Sequence, residues 1–225
     1  MKFLQQLSTM VWKDLTLEYR NKEKISSMLI FALLVIIIFA FAFKPSRQTT
    51  LEVFPGMLWV AFTFSGMLGL NRSMLLEKEN DCLLGLMLAP MDSAVIFFSK
   101  VFTNLLFMLM VEIISVPLFM ILFDFSFQGS VIWLAIVILL GTFGFSAVGT
   151  FLAAVSSNTR TSEILLPLIL FPIMVPLIIG AVQATAAIFS GQPAADFAGW
   201  LRLMAVFDII FLVVPFILFD YVLEV

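Results

Sequence analysis

Six long apolar runs, each with at most one charged residue, dominate this sequence of 225 residues. They cover approximately residues 25–43, 53–71, 101–123, 131–155, 164–189 and 203–219. A helix needs about 20 apolar residues to cross the roughly 30 Å hydrocarbon core of a bilayer. We therefore predict an all-α, polytopic membrane helix bundle with six transmembrane helices, forming a single permease-like domain over residues 1–225.

The charge content agrees with a membrane bundle and excludes several functions. Charged residues make up 12% of the sequence and apolar residues 62%, whereas an average soluble domain is about one quarter charged. A net charge of −3 provides no positive surface for nucleic acid. Because the sequence has no histidine and one cysteine, Cys82, we expect no internal disulfide, no Cys/His metal site and no Ser-His-Asp triad.

Lysine and arginine are distributed unevenly between the two sides of the predicted bundle. Nine of them lie in the N-terminal segment and in the 72–100 and 156–163 connections, against three on the opposite side. Cytoplasmic connections carry an excess of Lys and Arg. This bias predicts that both termini lie in the cytoplasm.

The segment before the first run, within residues 1–24, has the period of an amphipathic helix. The residues expected on its apolar face are Leu4, Leu7, Val11 and Leu15. The polar residues expected mostly on the opposite face are Gln6, Lys13, Asp14 and Glu18. Such a helix lies in the membrane interface with its apolar face in lipid. A plain anchoring role and a gating role both fit this pattern.

The longest connection, 72–100, joins an acidic stretch to an apolar strip. Glu77, Glu79 and Asp81 come first, and the strip that follows consists of Leu83, Leu84, Leu86, Met87 and Leu88. We expect a short helix ended by Pro90, and Asp92 as the N-cap of the helix that leads into the third run. An apolar surface in the cytoplasm is typical of a protein docking site, and a helix lying flat on the bilayer is the other interpretation.

Two acidic residues fall inside the apolar runs, Glu112 in the third and Asp208 in the sixth. A charge at the middle of a bilayer costs several kcal/mol, and such groups usually face the bundle interior or a water path. For Glu112, a structural hydrogen bond to a neighbouring helix and a role in a transport pathway are both open. For Asp208 we favour the structural role.

The fifth run contains three prolines: Pro167, Pro172 and Pro176. Each proline removes a backbone donor and clashes with the preceding turn, so we expect this helix to be kinked or partly unwound. Interrupted helices line substrate paths in several transporters, although proline is also common in ordinary transmembrane helices.

These residues together resemble a type-2 ABC exporter permease and, more narrowly, the heme exporter protein B (CcmB) family of cytochrome c maturation. The resemblance rests first on residues 55–72, PGMLWVAFTFSGMLGLNR, and on residues 164–181, ILLPLILFPIMVPLIIGA. It rests also on the block Glu77, Glu79, Leu83, Leu86, Met87, Leu88, Pro90 and Lys100.

The resemblance implies a cytoplasmic ABC ATPase subunit as partner. The residues it assigns to a coupling helix on that subunit are Glu77, Glu79, Asp81, Leu83, Leu86, Met87 and Pro90. The chain has no G-x-x-x-x-G-K-[ST] motif, so ATP would be bound by the partner. The resemblance further implies a heme-handling membrane subunit, a second copy of the chain and a location in the bacterial inner membrane.

We therefore expect a permease subunit without catalytic residues, which serves heme export or delivery in c-type cytochrome biogenesis. Heme is a possible cargo, but the chain has no histidine to supply as an axial ligand. One alternative is a general type-2 permease that exports a lipid-linked or other apolar substrate past Glu112 and the fifth run. The other is a membrane scaffold or an embedded enzyme that uses Glu112 as an acid.

Overall fold

The apolar runs form long helices in a computed structural model that describes residues 2–42, 47–79, 92–123, 127, 129–157 and 162–223. The helices of the described part are α1 Lys2–Asn21, α2 Glu23–Ala42, α3 Arg47–Glu79, α4 Ser93–Leu122, α5 Val131–Ser157, α6 Ser162–Phe189 and α7 Ala194–Leu223. Helices α2 to α7 each contain a stretch long and apolar enough to cross a membrane. The predicted all-α bundle with six candidate spans is therefore confirmed.

Two spans begin earlier than the sequence analysis placed them. The third begins at Ser93, not near 101, and the sixth at Ala194, not near 203. Lys100 and Arg202 suggested the later starts, but Lys100 is buried inside α4 and Arg202 lies exposed on the surface of α7. Neither charge ends a helix, because one is paired with an acid and the other faces outward.

The start of α4 is capped as expected. The Asp92 side chain accepts a hydrogen bond from the Ala94 backbone N–H at 3.1 Å, which satisfies one of the free donors of the first turn. The connection assigned to 72–100 is consequently shorter than predicted, because its first residues belong to α3 and its last to α4.

Helix α3 lies at the centre of the bundle and contacts α2, α4, α5 and α6. Within its apolar stretch Val53–Ser73, 72% of the residues in the most apolar window are buried, against 17% for α2 and 22% for α7. The outer helices therefore leave broad apolar faces, as expected for helices that contact lipid.

Helix α1 packs against α4 and α2 with its acidic residues turned inward. Asp14 and Glu18 are 9% and 5% exposed, so the prediction that they lie opposite the leucine face is wrong. Asp14 comes seven residues after Leu7, and Glu18 seven after Val11, which places them two turns along the same face. The outward face carries Trp12 and Tyr19 and other exposed side chains.

Candidate functional site

Polar side chains meet along the contact between α4 and α5, which is otherwise apolar. On each helix they recur at intervals of four residues, slightly more than one helical turn, so they share one face. We call the five polar residues, together with the methionine that lies between them on α4, the polar seam: Asn104, Met108 and Glu112 of α4, with Thr142, Ser146 and Thr150 of α5.

The first two contacts of the seam lie toward the end of the bundle that carries α1. The Asn104 side-chain N–H donates to Thr150 Oγ1 at 2.9 Å. One turn further, the Ser146 hydroxyl donates to the Met108 sulfur at 3.8 Å. Apolar helices in lipid have little to hold their register, whereas paired polar groups at matching intervals fit only one alignment of α4 on α5.

The third contact places Glu112 near the middle of the membrane-spanning part of α4. Its carboxyl oxygens lie 2.7 and 2.9 Å from Thr142 Oγ1, and the residue is 2% exposed. No ion pair to Glu112 occurs within the part of the chain that the structure describes. The carboxyl is thus enclosed between α4 and α5 and hydrogen-bonded across them. This arrangement agrees with a structural role for Glu112.

A buried lysine extends the seam to α2. Lys24 Nζ donates to Asn104 Oδ1 at 2.6 Å and lies over the Phe107 ring, 4.6 Å from its centroid. Asn104 therefore accepts from α2 through its oxygen and donates to α5 through its nitrogen. This one side chain joins three helices.

A buried ion pair extends the same face of α4 to α1. Lys100 lies four residues before Asn104, and its Nζ is 2.8 Å from Asp14 Oδ2. At the end of α1, Glu18 Oε1 accepts from the Ile25 backbone N–H at 2.7 Å. The sequence analysis missed this cluster, because Asp14 and Lys100 are 86 residues apart and each was counted as a solvated or headgroup charge. Lys100, Asn104 and Glu112 are spaced by four and then eight residues, and this spacing could have indicated one polar face of α4.

Asp208 lies on the opposite side of α5 from the seam. It is 4% exposed, and neither carboxyl oxygen has a hydrogen-bond partner among the described residues. Its carboxyl packs against Gly144, where even a single added carbon would collide with it. Thr142 and Gly144 are two residues apart on α5, so they face in nearly opposite directions.

Trp59, in the 55–72 segment of α3, joins this central helix to α5 and α6. Its indole N–H donates to Thr185 Oγ1 of α6 at 3.0 Å, and its ring packs against Gly141 of α5. The cavity beside it, which Thr63 and Met108 also line, measures about 10 Å³, room for roughly one water molecule. The junction is packed and holds no space for a larger ligand.

The three prolines of α6 do not converge with Glu112. The helix is continuous across Pro167, Pro172 and Pro176, so the expected unwinding is not found. Pro172 and Pro176 are exposed on the outside of the bundle.

The predicted coupling residues lie at the end of α3 and in the connection to α4. Glu77 and Glu79 belong to the last turn of α3. The other five, Asp81, Leu83, Leu86, Met87 and Pro90, lie outside the described residues. This connection joins the central helix α3 to the start of α4. Asp92, the N-cap of α4, lies eight residues before Lys100.

Comparison with known proteins identifies the family of the chain. The sequence profile of the CcmB protein family matches residues 5–222. Heme exporter protein B of Pseudomonas aeruginosa is 26% identical over 194 residues, 86% of each chain. The protein of the same name from Rhodobacter capsulatus is 29% identical over 170 residues, 75% of this chain and 78% of its own. That of Paracoccus denitrificans is 30% identical over 178 residues, 79% of this chain and 81% of its own. Since the profile spans nearly the whole sequence, this multi-pass membrane protein belongs to the CcmB protein family.

Proposed function

We propose that the chain is the permease subunit of an ABC transporter for heme export or delivery in c-type cytochrome biogenesis. The observation that carries this proposal is the family match over residues 5–222, together with relatives that are named heme exporter protein B. In this proposal the chain either carries heme across the membrane or transmits motion to the rest of the complex, and it catalyses no reaction.

The energy source in this proposal is a separate cytoplasmic ATPase subunit. The sequence has no phosphate-binding loop, and an ABC machine requires one. The residues that we assign to the contact with the ATPase are Glu77, Glu79, Asp81, Leu83, Leu86, Met87 and Pro90. They connect α3 to α4, so a displacement of this connection acts directly on the central helix and on the helix that carries half of the polar seam.

The proposed orientation follows from the charge bias. With nine Lys and Arg residues on one side and three on the other, both termini and the α3–α4 connection lie in the cytoplasm. The membrane is the bacterial inner membrane. A heme-handling membrane subunit and a second copy of this chain complete the proposed complex.

The proposed mechanism is transmission of motion, with heme handled mainly by a partner. The chain has no histidine, it binds no cofactor of its own in this proposal, and ATP acts through the partner subunit. The junction at Trp59 supports transmission, because its indole N–H donates to Thr185 of α6 and its ring packs against Gly141 of α5. Each contact of the polar seam joins α4 to α5, so a displacement of α4 would also move α5.

The names of the relatives favour heme export over export of a general apolar substrate. A path for such a substrate was expected between Glu112 and the prolines of α6. Glu112 is instead enclosed by Thr142, and Pro172 and Pro176 face outward, so these residues give no support to that path.

Covalent-heme staining of membranes from a strain that lacks this chain tests the proposal. We expect selective loss of c-type cytochromes and their return on complementation, with b-type cytochromes unchanged as the control. The affinity-tagged chain should also co-purify with an ATPase subunit. Normal c-type cytochromes in the deletion strain would exclude the proposed function.

A further inference from the structure

The ion pair between Asp14 and Lys100 joins α1 to α4. Lys100 Nζ lies 2.8 Å from Asp14 Oδ2, and the two side chains are 4% and 9% exposed. Lys100 is in the third turn of α4, shortly after the Asp92 cap. The pair thus attaches the N-terminal helix to the part of α4 that directly follows the α3–α4 connection.

Because the ion pair is buried, it contributes little net free energy to folding. Taking two charges out of water costs free energy that their attraction only partly returns, and well-packed apolar residues often hold helices equally well. A buried ion pair does fix the distance and direction between two elements, since either charge left alone is strongly unfavourable. The pair therefore specifies the position of α1 relative to α4.

A second attachment fixes α1 to α2. Lys22 adopts a left-handed conformation with φ of 54° and forms the single-residue corner between the two helices. Across this corner Glu18 accepts from the Ile25 N–H, and the Lys22 N–H donates to the Glu18 carbonyl at 2.7 Å. Helix α1 is thus held at its end by α2 and along its length by α4.

Titratable side chains of α1 and α2 lie near the pair. Lys13 Nζ lies 3.3 Å from Asp14 on α1 itself, Glu18 closes the corner to α2, and Lys24 of α2 bonds Asn104 on the same face of α4. Within little more than one turn, α4 therefore contacts α1 through Lys100, and α2 and α5 through Asn104.

We propose that Asp14 and Lys100 are positioning residues that make α1 move with the start of α4, so that displacement of the α3–α4 connection reaches the N-terminal helix. This inference rests on the proposed function. In it, α1 is a moving part of the transmission and not a passive anchor in the membrane interface.

The test uses the complete complex, purified with its ATPase subunit and reconstituted in phosphatidylethanolamine–phosphatidylglycerol vesicles. The variants are Asp14→Asn, Lys100→Met, the double neutral variant, and the exchange of Asp14→Lys with Lys100→Asp. Arg72→Gln is the matched control, because Arg72 pairs with Glu23 between α3 and α2 but both side chains are well exposed, at 44% and 60%. Chain abundance and stained c-type cytochrome are measured in cells that express each variant, and ATPase co-purification and ATP hydrolysis are measured on the purified complex.

The expected result is a loss of coupling without loss of assembly. The double neutral variant leaves no buried charge of the pair unpaired, because Lys13 is 34% exposed. It should accumulate and retain the ATPase, while cytochrome matured per ATP hydrolysed falls about fivefold or more. The charge exchange should recover at least part of that loss, and Arg72→Gln should change the ratio by less than about twofold. A merely structural pair would lower abundance and leave the ratio unchanged.

A readout without heme separates this inference from the proposed function. Cys82→Ser removes the native cysteine. Spin labels are then attached to cysteines introduced at exposed Thr9 on α1 and exposed Ser190 beyond α6. Their distance should change when nucleotide is trapped in the ATPase, and the change should disappear in the double neutral variant. An unaltered change, a normal coupling ratio or loss of the ATPase from that variant would each overturn the inference. Retained cytochromes in the deletion strain would instead overturn the proposed function.

Discussion

Glu112 of α4 and Asp208 of α7 pack against opposite faces of α5. Thr142 bonds the Glu112 carboxyl on one face, and Gly144, two residues later, packs against the Asp208 carboxyl on the other. The two acids thus belong to different helix junctions, Glu112 between α4 and α5 and Asp208 at the contact of α7 with α5. Substitutions at the two positions should have separate and largely additive effects.

Glu112→Gln should preserve the chain, because the amide oxygen still accepts from Thr142. Glu112→Leu should lower the free energy of unfolding by about 1–2 kcal/mol, the value of a hydrogen bond between membrane helices. Thr142→Val is the matched variant, and the double variant should cost little more than either single one. Unfolding in mixed detergent micelles measures these differences. A stable Glu112→Gln chain that matures no cytochrome would favour a pathway role for this carboxyl.

Gly144→Ala should destabilise the chain, because the new Cβ would overlap the Asp208 carboxyl. We expect a loss of about 1–3 kcal/mol, the usual cost of overpacking, measured as a lower Tm in detergent. Asp208→Ala should relieve most of the loss by vacating the space. Gly199→Ala is the control, since a Cβ there meets no atom within 4 Å. Equal melting of the two glycine variants would contradict the observed packing.

Asn104→Leu should be more damaging than the loss of one neutral hydrogen bond. Lys24 Nζ would be buried without its acceptor at 2.6 Å, and Thr150 would lose its donor at 2.9 Å. Each buried polar group left without a partner costs about 1–3 kcal/mol. Adding Lys24→Met should restore much of the stability, since the buried amine that lost its acceptor is then removed. If the double variant were less stable than Asn104→Leu, the contact would not be the source of the loss.

Glu77→Lys combined with Glu79→Lys should separate the chain from its ATPase while leaving it in the membrane. Leu86→Asp tests the apolar part of the same assigned contact, and the expected cost to binding is about 2 kcal/mol or more for one buried anchor. Co-purification of the ATPase with the tagged chain measures both. Undiminished co-purification together with normal cytochrome maturation would contradict the docking assignment.

The parts of this fold that sequence reasoning reached are those set by local chemistry. Length and apolarity of each run define the six candidate spans, and the position of Asp92 defines a cap that the structure confirms. Local rules place Asp14 on a helix, but its partner Lys100 is 86 residues away and depends on which helices are neighbours. The same holds for Asn104, Glu112 and their partners on α5, whose regular spacing is visible in the sequence and whose pairing is not.

We propose that the connection between α3 and α4 docks on the ATPase, and the one cysteine of the chain, Cys82, lies in that connection. A photoreactive maleimide attached to Cys82 in membranes that contain the full complex tests the claim, with Cys82→Ser as the control for labelling. We predict a cross-link to the ATPase subunit whose yield changes when ATP is added. A chain that retains the ATPase but cross-links only to lipid would contradict docking through this connection.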